Sequence, residues 1–287
     1  SIFVGLVVLW LTVRRAFGIR GWDAVYCVFS PAVAFNIQVG QIGMFTAALL
    51  LGGLGLLNRR PYISGVLFGL LSIKPTLGLL VPVALAAGRM WRAFGAATAT
   101  TLLLVGLSVV LFGVAPWQQY FESVGSAAID HIGSAALAAP IPSVFRAAIE
   151  LGVPVLVAHA LQAIMTVFSI IAVYLVWRTS SNGELRNAIL LACIILSTPY
   201  AHIYDMIPLA LASLLLYRQV EKDGGFTGER ILCVAVWLLP LLMFVSLEEI
   251  DVPLAPFVLV IFSISILVRA RAGSRLPGTL ARSALQS

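Results

Sequence analysis

From Ala24 to Asn58 the chain carries no charged residue over 35 positions. As one helix this stretch would run roughly 52 Å, well beyond the ~30 Å hydrocarbon core of a bilayer. It therefore has to be divided. Pro31 and the polar group Asn36, Gln38, Gly40 and Gln41 supply the division, giving two apolar spans joined by a short turn and closed by Arg59 and Arg60. The rest of the sequence has the same character. With 61% hydrophobic and 10% charged residues over 287 positions and a mean hydropathy of +1.04, it reads as an all-α, polytopic transmembrane helical bundle. The alternating pattern of a transmembrane barrel is absent.

The second constraint is the run Tyr62 to Gly88, 27 residues of which Lys74 is the only charged one. A lysine near the middle of a ~40 Å apolar run is costly in hydrocarbon and marks a functional candidate. Pro75 removes a backbone donor and disfavours helical geometry at Lys74, so the run is predicted to break there into two half-length pieces. Asn187 to Tyr217 repeats this design, interrupted at its centre by Thr198-Pro199-Tyr200-Ala201-His202-Ile203-Tyr204-Asp205. Broken helices around an unwound polar point are how membrane proteins expose backbone groups and charge to a ligand.

Charge placement gives orientation. If both interrupted runs are re-entrant hairpins that enter and leave on one side, Arg14, Arg15, Arg20, Arg59, Arg60, Arg89, Arg92, Arg178, Arg186, Arg218, Lys222, Arg230, Arg269, Arg271, Arg275 and Arg282 share one face. That is 16 of the 18 basic residues. If the runs cross fully, Arg89, Arg92, Arg178 and Arg186 move away and the positive-inside bias weakens, so the hairpin topology is preferred. The net charge of +6 is thereby explained as a topology signal, and no nucleic-acid role follows. Cys27, Cys193 and Cys233 lie in apolar segments without metal-ligand spacing and read as small core residues.

The whole of 1–287 reads as a single membrane domain. Its longest non-membrane stretch, 113–153, holds Glu122, Asp130, His131 and Glu150; Trp117, Tyr120, Phe121, Val124 and Ala128 fall on one face of a helix suited to the bilayer interface. Ser143 is placed to cap a short helix through Glu150. Spans are expected at 93–112, 154–177, 231–246 and 253–268, with a basic cytoplasmic tail at 269–287. Ser1 already stands inside an apolar run, without a methionine or a charged n-region, so the chain is expected to be an N-terminally truncated fragment.

The succession N-I-Q-V-G-Q-I-G, a span ending in R-R, G-V-L-F-G-L-L-S-I-K-P-T-L and a basic W-R resembles glycosyltransferase family 87, multispanning enzymes of the GT-C superfamily. The later S-T-P-Y-A-H-I-Y-D-M-I-P-L-A is similar to that family's histidine-containing segment. The resemblance covers about Ala24 to Leu211. It implies inverting sugar transfer, of mannose or a related hexose or pentose, from a polyprenyl-phosphate sugar to a lipid or glycan acceptor, at the non-cytoplasmic side of the plasma membrane. It implies no cofactor or metal. The family's catalytic acid lies in a first outer loop that would precede Ser1; Asp23, beside Arg20 on the cytoplasmic face, cannot replace it.

The residues allow roles and alternatives. Lys74 suits contact with the donor phosphate, or else snorkels to the interface or pairs with a buried carboxylate such as Asp205. His202 suits donation to the phosphate or proton relay, with Asp205 three residues on to orient its ring; both equally suit structural roles at a helix break. Asn36, Gln38 and Gln41 offer donors and acceptors for sugar hydroxyls, as would polar residues at any turn. Tyr200 and Tyr204 suit packing on a sugar or an interfacial aromatic belt. His159, alone in an apolar span, reads as a satisfied core histidine. A secondary transporter or lipid flippase, which also uses paired broken helices, and a structural subunit of an envelope complex remain as other classes.

Overall fold

In a computed structural model the described residues, 2–130, 141–225, 227–249 and 253–275, form an all-α bundle with no strand among them. Helix α1 (Ile2–Ala16) runs to the end of the bundle that carries Arg14 and Arg15. The return is broken at Pro31 into α2 (Trp22–Val28) and α3 (Pro31–Val39), and α4 (Gly43–Leu56) then runs beside α1 in the same direction. Gly5 packs against Met44 at one end of this pair and Gly55 against Ala16 at the other.

The Lys74 run breaks where its sequence predicts. Helix α5 (Pro61–Leu70) passes through a 3-10 turn at Leu71–Ile73 and stops at Lys74, whose φ of −141° and ψ of 77° lie outside the helical region that a following proline disfavours. The chain resumes as α6 (Pro75–Gly78) and α7 (Val81–Ala87). It then returns to the level at which it began: Leu57, Asn58 and Pro61 line one cleft together with Arg89, Met90 and Arg92. Helix α8 (Trp91–Phe112) starts from that level and runs parallel to α5. Their contact is close because α5 presents glycine. A Cβ on Gly69 would lie 2.5 Å from Thr100 Cβ and 2.8 Å from the Ala97 carbonyl, so the interface excludes any side chain there.

Helix α9 (Ala115–Asp130) follows, with Trp117, Tyr120 and Phe121 in one aromatic group. Asp130, His131, Glu248, Glu249 and Asp251 lie, wholly or by their side chains, outside the described residues, as do Val124, Ala128 and most of the basic tail. Helix α10 (Val144–Glu150) is capped by Ser143 Oγ, which accepts from the Arg146 N–H at 3.1 Å, and packs on α11 (Val155–Thr179). The expectation for His159 is corrected here: it is exposed on α11, its ring 4.6 Å from that of Phe145, because Ala158 rather than His159 occupies the face turned to the bundle.

Helices α12 (Gly183–Leu196) and α13 (Ile207–Asp223) form the second hairpin. Its feet are tied by Asn182 Nδ2 donating to Gln219 Oε1 at 2.7 Å and by the Lys222–Glu184 ion pair at 2.9 Å. Helices α14 (Thr227–Glu249) and α15 (Leu254–Arg275) complete the bundle. Among the described residues, four helices are long and apolar enough to cross a bilayer: 91–112, 155–179, 227–245 and 254–272. Cys27, Cys193 and Cys233 are buried and free.

The ends of these elements form one belt. Gly88 packs on Trp177, whose Nε1 donates to the Arg186 carbonyl at 2.8 Å. Arg218 pairs with Asp23 at 2.6 Å, Arg230 with Glu221 at 2.7 Å and Arg269 with Glu229 at 2.6 Å. The feet of both hairpins and the charged ends of α1, α13, α14 and α15 therefore share one end of the molecule, as the charge count expects. Both hairpin tips lie at the same height. Thirteen residues from Pro61 to Ile73 and the 14 of α12 each rise roughly 20 Å from the feet, level with the start of α4, where Gly43 meets the Tyr204 carbonyl.

Candidate functional site

The two tips meet. Lys74, at the end of the first, forms an ion pair with Asp205, at the end of the second, across 131 positions of sequence. The Asp205 side chain is wholly buried and that of Lys74 is 19% exposed, so this contact of opposite charges is largely shielded from water. Of the alternatives open for Lys74, the structure contains pairing with a buried carboxylate.

The local chain folds so as to present these groups. Ser197 ends α12, and Thr198 Oγ1 accepts from the Tyr200 N–H at 3.2 Å in a tight turn through Pro199. His202 is extended, and a 3-10 turn, Ile203–Met206, leads into α13. Asp205 reaches back along this turn, its Oδ2 accepting from the His202 N–H at 3.0 Å while Oδ1 holds Lys74. This differs from the expected role. Three residues apart on an α-helix, Asp205 would share a face with the His202 ring; in the 3-10 turn it acts as a cap on the His202 backbone. The His202 side chain returns the bond by accepting from the Asp205 N–H, completing a capping box, and its Nδ1 also lies 3.0 Å from the Tyr200 carbonyl oxygen.

Tyr204 joins both groups. Its ring stacks on His202 with centroids 5.1 Å apart and planes 14° from parallel, and Lys74 Nζ lies 4.6 Å from its centre. On the other side the Tyr204 backbone abuts α4, where Gly43 has no room for a Cβ between the Asn36 amide and the Tyr204 carbonyl.

The remaining sugar-contact candidates separate. Asn36 is fully buried: with its amide oriented to satisfy both neighbours, it donates to the Gln41 carbonyl at 3.1 Å and accepts from the Gly43 N–H at 3.0 Å, fixing the turn. Gln38 and Gln41 are exposed on that turn, and Tyr200 is half-exposed at the second tip. Arg146 pairs with Glu150 within α10. Among the described residues no group of three or more His, Cys, Asp or Glu side chains comes together. The sequence reading passed over Gly43 altogether and gave Tyr204 no more than a place beside Tyr200. The signal for Tyr204 was its position between His202 and Asp205 in a segment too short and too polar for a regular helix.

An all-α bundle with four helices long and apolar enough to cross a membrane, in which two hairpin tips bring an ammonium, a carboxylate, an imidazole and a phenol ring together away from the basic belt, belongs to the class of polytopic membrane proteins. The sequence model of glycosyltransferase family 87 matches residues 1–199, and the chain belongs to that family: it is a membrane glycosyltransferase. The matched segment contains Lys74 and ends just before Tyr200. No curated protein and no solved structure matches the chain.

Proposed function

We propose that this enzyme transfers a sugar, mannose or a related hexose or pentose, from a polyprenyl-phosphate donor to a lipid or glycan acceptor on the non-cytoplasmic side of the plasma membrane. One observation carries the reading: Lys74 and His202, from separate hairpins, converge at tips that point away from the basic belt. The positive-inside bias assigns the belt to the cytoplasm and the tips to the opposite side. A lipid-linked donor keeps its tail in hydrocarbon and offers an anionic phosphate at the interface on that side.

In the transfer an acceptor hydroxyl attacks the anomeric carbon while the bond from that carbon to the phosphate oxygen breaks, inverting the configuration, and the hydroxyl proton passes, by way of His202 or directly, to the leaving phosphate. The electron pair of that bond leaves on the polyprenyl phosphate, so charge builds there. Lys74 supplies a point charge against it, with N–H donors beyond the one given to Asp205. His202 Nε2 supplies a second donor or relays a proton. Asp205 supports both tips, since its two oxygens already serve Lys74 and the His202 backbone. Gln38, Gln41 and Tyr200, all exposed, are the side chains we assign to sugar hydroxyls, and Asn36 shapes the turn that carries the glutamines.

Transfer of radiolabelled sugar from polyprenyl-phosphate donors tests this. His202→Gln and the doubly neutral Lys74→Met/Asp205→Asn are each expected to lower transfer by about 100-fold or more. Undiminished transfer in both would remove the site assignment, and no transfer by the native enzyme from any such donor would remove the donor assignment.

A further inference from the structure

We infer that Tyr204 is the positioning residue of this site: its ring sets where the Lys74 ammonium and the His202 imidazole stand relative to each other. The inference rests on the glycosyl-transfer reading for its catalytic consequence and on geometry alone for the positioning. Two hairpins far apart in sequence have to place two groups within reach of one phosphate, and an ion pair fixes charge better than it fixes orientation, because an ammonium is a flexible point charge on a four-carbon stem. The Asp205 carboxylate pairs with Lys74 and accepts from the His202 N–H, and the Asp205 N–H completes a capping box with the His202 side chain, but none of these bonds sets the ammonium and the imidazole against one common surface. Tyr204 meets both working groups through one rigid plane, with His202 stacked 14° from parallel and Lys74 Nζ 4.6 Å from the ring centre.

The backbone that carries this plane is itself fixed. Tyr204 sits in the 3-10 turn between the His202 cap and the start of α13. Its carbonyl lies against Gly43 at the start of α4, in a space that admits no Cβ, so the backbone cannot shift towards α4. The α3 helix packs on the same turn. A ring carried on a backbone held by these elements, and touching both working groups, is a template on which the two tips register.

The π-face carries both contacts, so phenylalanine is expected to substitute for tyrosine and leucine is not. Three histidines are present, so His202 can be followed in the detergent-solubilised, histidine-labelled protein after assignment with His202→Gln. Its ring protons should show an aromatic upfield shift in the native protein and in Tyr204→Phe, and lose it in Tyr204→Leu. In the transfer assay Tyr204→Phe should stay within about threefold of native, while Tyr204→Leu loses about tenfold or more in kcat with KM little changed, the signature of interactions felt mainly in the transition state. If the leucine variant does not fold, Tyr204→Met fills the space flexibly without a ring and serves the same comparison.

A His202 signal that stands at the same position in the native protein and in Tyr204→Leu would overturn the inference, as would equal losses in the phenylalanine and leucine variants. Full activity in the leucine variant would do the same. If the native enzyme uses no polyprenyl-phosphate sugar, the donor reading falls, while the histidine spectrum still decides whether Tyr204 positions the ring.

Discussion

Removing Lys74 alone should be far more damaging to the fold than removing the whole ion pair. In Lys74→Met the Asp205 carboxylate, which has no exposed surface, loses its paired cation and keeps the hydrogen bond from the His202 N–H. At about 4 Å and an effective dielectric near 20, two unit charges attract by roughly 4 kcal/mol, and stranding one member of a buried pair costs about 3–5 kcal/mol. Since Asp205 retains its cap bond, about 3 kcal/mol is expected, which weakens the folded state by roughly 150-fold. Asp205→Asn should cost less, about 1–2 kcal/mol, because Lys74 is 19% exposed and can turn its head towards water. Lys74→Met/Asp205→Asn keeps the side-chain volumes and the cap acceptor while leaving no buried charge at the tips, so it should return to within about 1 kcal/mol of the native protein. Equilibrium unfolding in detergent, followed by far-ultraviolet circular dichroism, reads all four proteins as one cycle. If Lys74→Met proves as stable as the native chain, or the double variant no better than the single, the pair is not the buried tie between tips described here.

Gly43→Ala forces a Cβ between the Asn36 amide and the Tyr204 carbonyl; a loss of about 1–3 kcal/mol is expected together with a sharp fall in transfer, whereas the neighbouring Gln41→Ala, on the exposed turn, should leave stability within about 0.5 kcal/mol. Gly69→Leu should prise α5 from α8 at a similar cost of about 1–3 kcal/mol, visible as a lowered unfolding midpoint, while Gly95→Ala, in open space, should be silent. Sidedness is read by an impermeant maleimide on intact cells. The three native cysteines are buried, so Gln38→Cys should label from outside and Arg59→Cys only after the membrane is opened; the reverse pattern would invert the proposed orientation.

What the sequence made legible follows from rules that act locally. The Lys74-Pro75 step is broken because proline restricts the residue before it, and Ser143 caps α10 because its hydroxyl is the acceptor that a helix start lacks. The hairpin topology was legible through charge, since stranding basic groups on the far side is unfavourable and the count left one arrangement that avoids it. Contacts across the bundle were not legible in that way. Lys74 and Asp205 could be named as partners but not shown to meet, because their approach depends on two hairpins rising to equal height. Asp205 was expected to orient the His202 ring because helical spacing was assumed; the segment is 3-10, which redirects the carboxylate to the backbone. Asn36 looked like a sugar ligand because a polar residue in a turn carries no mark of whether it faces the solvent or its own backbone.

The pairing of Lys74 with Asp205 does not compete with a role for Lys74 at a phosphate. An unpaired ammonium among apolar helices would be expensive to hold in place, and the buried carboxylate makes that position tenable. The same contact uses one of three N–H donors and leaves the side chain partly open. On the proposed donor reading, an arriving phosphate would meet a cation already desolvated on one side and set against an aromatic face, instead of one that must first be withdrawn from water. Preorganisation of this kind favours charge that develops during transfer over charge already present in the bound donor, because the donors need not move as the leaving phosphate gains its negative charge. On this argument a variant that keeps the pair but loosens its placement, such as Tyr204→Leu, should lose more in kcat than in donor affinity.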